Sequence, residues 1–167
     1  MKPLPAKPAI WIKKGEDLAI SGADLQVLMK DILSRGATFH FRAKGWSMTP
    51  FIKDGDAITI APLSKEKLSI GKVVAFIQPA SSQLTVHRVI GRQESDFLIQ
   101  GDNAIGQPDG LVHPQDILGC VTRVERDGRR VFLGLGPERY LVAILSRHGW
   151  LDTVLRRLRA IKYKFLG

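Results

Sequence analysis

Gly45-Trp46-Ser47-Met48-Thr49-Pro50-Phe51-Ile52-Lys53-Asp54-Gly55-Asp56 separates two strand-like runs, and the way it does so decides the fold. Before it, Phe39, Phe41 and Ala43 alternate with His40, Arg42 and Lys44, one face apolar and one wet, which is the period of a strand. After it, Ala57 to Ala61 opens a second strand at once. Gly45 ends the first run, Pro50 prevents its resumption, and Asp54-Gly55-Asp56 turns the chain. A serine on so tight a bend has its hydroxyl held in one direction and its backbone N–H free to face a ligand, which suits a nucleophile. By itself the stretch also reads as a plain strand–turn–strand corner, because Gly, Ser, Pro and Asp are what turns are made of.

Outward from this corner the strand period persists. Lys72–Gln78, Leu84–Ile90, Phe97–Gln100, Ile117–Glu125 and Arg130–Leu133 follow, and Asp127-Gly128 is a hairpin signal. With Thr38–Lys44 and Ala57–Ala61 these make seven short strands without intervening helices. The fold class is mainly β (α+β): a coiled, partly closed antiparallel domain of residues 38–135. Residues 1–37 add a basic arm and a helix. Ser21-Gly22-Ala23-Asp24 fits a capping box, Leu25, Leu28, Met29, Ile32 and Leu33 form one apolar stripe, and Gly36 stops it. That helix reads as a lid on the sheet, since no partner helix precedes it to make a helix-turn-helix. Residues 136–167 read as a basic helical appendage. Tyr140 to Ser146 is one short helix broken at Gly149. Leu151, Val154, Leu155, Leu158 and Ile161 then form a stripe flanked by arginines and lysines, suited to packing or dimerisation ahead of a membrane interface.

The chain has 167 residues, enough for one domain with appendages, and a formal charge of +9. That excess sits at the ends: residues 1–14 contribute +4 and residues 137–167 contribute +5, leaving the middle neutral. A basic balance of this kind points to an anionic membrane face more than to nucleic acid. The single cysteine, Cys120, excludes an internal disulfide and reads as a packed strand residue. Neither a spanning segment nor a signal peptide is legible, so the expected location is cytoplasmic, either free in the cytosol or held by the basic ends at the anionic inner membrane face.

His87 lies in the apolar run Leu84 to Ile90, and Asp102 and Asp109 sit at glycine turns. Each has an ordinary explanation, a half-buried strand histidine and turn acids. Together with Ser47 they are also what acyl transfer requires: a hydroxyl, a base near neutral pH, and a carboxylate to orient it. The contexts add weight. Gly45-Trp46-Ser47-Met48-Thr49-Pro50 with Asp54-Gly55-Asp56 resembles the first box of type I signal peptidases and LexA-like peptidases, the S24/S26 serine peptidase superfamily. Gly71-Lys72-Val73-Val74-Ala75-Phe76 and His87-Arg88-Val89 resemble their next boxes. Histidine where most members carry lysine, with Gln100-Gly101-Asp102-Asn103 and Asp109, resembles the branch of archaea, the endoplasmic reticulum and some sporulating bacteria.

The resemblance implies Ser47 as nucleophile and His87 as general base, with Asp109 or Asp102 as third member. Asp109 is preferred, though the spacing is about one residue longer than the family motif. It implies the Ser47 N–H as oxyanion donor, Gly45, Trp46 and Met48 as substrate-contacting residues, and no metal or cofactor. Gly45 stands where some members add a hydroxyl. Trp46 reads equally as a groove wall or a core residue, and His40, His113 and His148 have no readable role. The implied substrate is a peptide or precursor protein, cut after small residues in extended conformation. A homo-oligomer, through the apolar stripe of the C-terminal helix, is a further expectation. Typical signal peptidases carry a spanning helix before the serine box, and here a capped helix stands in that place. Alternatives are a LexA-like self-cleaving regulator and a non-catalytic peptide-binding module.

Overall fold

The computed structural model describes residues 22–63, 67–103 and 108–166. The basic arm of residues 1–14 and the capping residue Ser21 lie outside the described residues. Helix α1 (Gly22–Ser34) buries Met29 and Leu33, with Leu25, Leu28 and Ile32 partly covered, as its stripe predicts. Eight strands follow: β1 (Phe39–Arg42), β2 (Ala57–Pro62), β3 (Val73–Ile77), β4 (Leu84–Gln93), β5 (Asp96–Gln100), β6 (Gly110–Val112), β7 (Ile117–Arg126) and β8 (Arg129–Val131). They form one antiparallel sheet in the order β1-β2-β7-β3-β4-β5-β6, with β8 paired to β7. The fold is therefore mainly antiparallel β with a few helices, and α1 lies on β7, β1 and β2 as a lid.

Strand β3 is buried on both faces. Val73 and Ala75 join Met29, Phe39, Met48 and Ile60 in one core, while Val74 and Phe76 join Val89, Ile99, Val112 and Cys120 in another. A sheet that is apolar on both sides must be covered on both sides, which bending the outer strands and adding helices achieves.

Most strand ends shift by a residue or two from the sequence reading, and three strands differ in a way that matters. Strand β6 was not expected, because three residues beside Asp109-Gly110 are too few to show a period; pairing with β5 makes it a strand. Strand β4 runs on to Gln93 and turns directly into β5. Strand β8 is Arg129–Val131 rather than Arg130–Leu133. The two-residue turn Asp127-Gly128, with φ of 50° and 74°, pairs Arg126 with Arg129 and leaves Phe132 outside.

Helix α2 (Arg139–Arg147) crosses β4 with Val142, Ala143 and Ser146 inward, and helix α3 (Leu151–Leu166) follows Gly149. Leu151, Leu155, Val142 and Leu145 close around Phe51, so the first part of the α3 stripe is used in packing; the side chains of Leu158 and Ile161 lie outside the described residues. Among the described residues no helix is long and apolar enough to cross a membrane.

Candidate active site

The corner between β1 and β2 is a tightly bonded loop. Gly45, at φ +94°, takes the chain out of β1 in a conformation that side chains resist, and its N–H donates to Asp54 Oδ1 at 2.8 Å. Ala43 donates to the Asp56 carbonyl at 2.8 Å and Gly55 to the Ala43 carbonyl at 2.9 Å, which closes the base of the loop. Asp56 is buried; its carboxylate accepts from Lys53 N–H at 2.8 Å and from Arg126 Nε and Nη2 at 2.9 and 2.7 Å. Burial works to raise the Asp56 carboxyl, but the Arg126 and Lys53 interactions outweigh it and hold the carboxyl below its ordinary value. Met48 and Ile52 reach into the main core, and Phe51 into the pocket of α2 and α3. Ser47, between these anchors, is exposed, as is Trp46 at 65%, which rules out Trp46 as core filling. Among the described residues the Ser47 N–H and Oγ carry no hydrogen bond.

Strand pairing brings the second component in. His87 pairs with Val74 and lies on the same face as Phe76, their rings 6.2 Å apart. The His87 side chain is only 11% exposed. Its Nδ1 is hydrogen-bonded to Asp109 Oδ2. Asp109 reaches it from the start of β6, where its own N–H donates to the Ile99 carbonyl at 3.0 Å. The other ring nitrogen faces the serine loop. A Cβ placed on Gly101 would stand 2.8 Å from the Ser47 carbonyl oxygen and 3.1 Å from His87 Nε2. Only a residue without a side chain fits where loop, imidazole and the end of β5 converge. Asn103 N–H, donating to the Ser47 carbonyl at 2.7 Å, ties the same two segments together.

Asp102 is engaged elsewhere. Its two oxygens accept from Arg88 Nε and Nη2, both at 2.7 Å, and both side chains are wholly buried. Arg88 Nη1 donates to the Gly71 and Gly134 carbonyls at 2.7 and 2.8 Å, and the guanidinium lies over the Phe51 ring. Burial pushes the Asp102 carboxyl up, against the opposing pull of Arg88 and, more weakly, of His87. Of the two acids left open by the sequence, Asp109 is the one at the imidazole. Arg88 itself was not singled out, although a charge in the apolar run Val86 to Ile90 needs a buried partner and was the available signal. Glu138 is another such lock, accepting from Gly134 and Gly136 N–H at 2.7 and 3.1 Å.

The other histidines serve structure. His40 bonds Thr59 and Thr38, His113 caps the short 3-10 turn Pro114–Asp116, and His148 ends α2. Among the described residues no cluster of three or more His, Cys, Asp or Glu side chains is arranged to hold a metal. Surface hollows lie around Arg42, Lys53–Ala57 and Glu125–Val131; neither is lined by Ser47 or His87.

A model of the Peptidase S24-like family matches residues 10–122. The chain belongs to the Peptidase S24-like family. No curated protein matches it. The S24-like span contains the serine loop, His87, Arg88, Asp102 and Asp109, while α2 and α3 fall beyond it.

Proposed function

We propose that the chain is a serine endopeptidase of signal-peptidase type, its histidine variant, in which Ser47 attacks and His87 and Asp109 assist. In this reading His87 Nε2 takes the proton from Ser47 Oγ as that oxygen bonds to the scissile carbonyl carbon. The carbonyl π electrons move to oxygen, which the Ser47 N–H meets. The imidazolium, held by Asp109 at Nδ1, returns its proton to the leaving amine as the C–N bond breaks. Water, deprotonated by the same imidazole, then cleaves the Ser47 ester and frees the hydroxyl. Gly45 offers no second donor from a side chain, so main-chain groups carry the oxyanion.

The observation that supports this most is the close approach at Gly101, which brings His87 Nε2 and the Ser47 main chain to one point while Asp109 holds the opposite ring nitrogen. Strand β1 has no further strand on its outer edge among the described residues, so an extended peptide can add there and run toward Ser47. The expected substrate has small residues at the first and third positions before the cut. A second reading, a self-cleaving regulator, is favoured by the S24-like assignment; histidine in place of lysine and the lack of an Ala-Gly pair before Ser47 weigh against it.

The test is cleavage of an Ala-x-Ala peptide library by the wild-type chain and by Ser47→Ala. Cleavage by the wild type alone is expected. Equal inertness of both removes the enzyme reading, and shortening of the purified chain itself selects the regulator.

A further inference from the structure

Helix α2 carries an outer face that its sequence does not advertise. Val142, Ala143 and Ser146 turn inward, Arg139 lies against Gly71, and the Arg147 guanidinium lies over Gly91. Outside, Tyr140, Leu141 and Ile144 are 45%, 58% and 52% exposed. Trp150, 61% exposed, extends the ridge, its ring 5.3 Å from that of His148. Single exposed apolar residues are ordinary, but four within so short a stretch form a patch. Arg139 stacks on the Tyr140 ring at 4.8 Å, Arg157 is exposed on α3, and residues 137–167 carry +5.

We propose that this ridge docks on an anionic lipid surface. Tyr and Trp with a polar tip beside aliphatic side chains, with Arg139 stacked on Tyr140 and Arg157 exposed on the next helix, match the boundary between headgroups and acyl chains. Charge decides between candidate occupants. A second copy would bring the same +5 against itself, whereas an anionic leaflet supplies the opposite charge and an apolar layer beneath it. The docked helix pair also touches the serine loop, because Phe51 packs on Val142 and Leu151 under the ridge. The loop is thereby carried to the bilayer surface.

The experiment is co-sedimentation of the full chain with vesicles of phosphatidylcholine alone, and with vesicles in which a third of the lipid is phosphatidylglycerol. Binding to the anionic vesicles, about tenfold or more tighter than to neutral ones, is expected. Leu141→Glu with Ile144→Glu should weaken it by about tenfold, and Arg157→Gln by about fivefold, with circular dichroism unchanged. Ser47→Ala should bind as wild type, so the result is independent of the peptidase reading. Equal binding to both vesicles, no binding at low salt, or undiminished binding of the Leu141/Ile144 variant overturns the proposal. So does a dimer on gel filtration that this variant dissolves, which would make a second copy the occupant.

Discussion

Asp109 and Asp102 stand close in the sequence, yet they face different cationic partners. Asp109 holds the imidazole at a partly open position, whereas Asp102 is sealed against Arg88. Their asparagine variants should therefore fail in different ways. Asp109→Asn presents the wrong hydrogen-bonding group to Nδ1, and kcat on a cleaved peptide should fall by about 10³-fold or more with the urea midpoint unchanged. Asp102→Asn leaves a buried guanidinium without its counter-charge, and should lower stability by roughly 3 kcal/mol in urea titration. Swapped outcomes would reverse the two assignments. Gly101→Ala forces a carbon to 2.8 Å from the Ser47 carbonyl, so the loop or ring must shift. A loss of at least tenfold in kcat, with a small change in stability, is expected there.

The serine loop is the element on which the site depends, and it is fastened by the buried Asp56 carboxylate on one side and by the apolar packing of Phe51 on the other. Asp56 titrates below its unfolded value because Arg126 and the Lys53 N–H favour the carboxylate. The stability it contributes is present above the ordinary carboxylate range and is lost as pH falls through the depressed folded value. Asp56→Asn should cost roughly 2 kcal/mol at neutral pH, and its deficit relative to wild type should shrink at about pH 3. A deficit that is constant with pH would mean that the carboxylate's charge contributes nothing. On the far side of the loop, Phe51→Ala opens a space among Val142, Leu151 and Leu155, and should cost about 3 kcal/mol. The same variant should lower peptide cleavage beyond what its folded fraction explains, since the loop rests on that contact.

Across the whole molecule, local patterns were readable and long-range partnerships were not. The alternation in Phe39–Lys44, the stripe of α1 and the Asp127-Gly128 hairpin each follow from neighbours a few residues apart, and each appears in the fold. Strand β6 exists only because β5 lies beside it, so its three residues gave no signal. Which acid meets His87 is decided by the β5–β6 pairing, and the partner of Arg88 by the path of the Gln100–Asn103 turn. Spacing alone contains neither. The short helix Tyr140 to Ser146 is legible in the sequence, but its division into an inward and an outward face depends on α2 crossing β4. At the start of the basic, amphipathic α3, Leu151 and Leu155 pack on Phe51, while the exposed apolar side chains Tyr140, Leu141 and Ile144 stand on α2. The measurement that bears most directly on the central claim is the mass of the chain after acid quenching of a reaction with an Ala-x-Ala peptide ester, where acylation outruns hydrolysis. One acyl group is expected, mapped to the fragment containing Ser47 and absent from His87→Gln; an adduct elsewhere, or on Ser47 to the same extent without His87, rules out a Ser47 nucleophile served by His87.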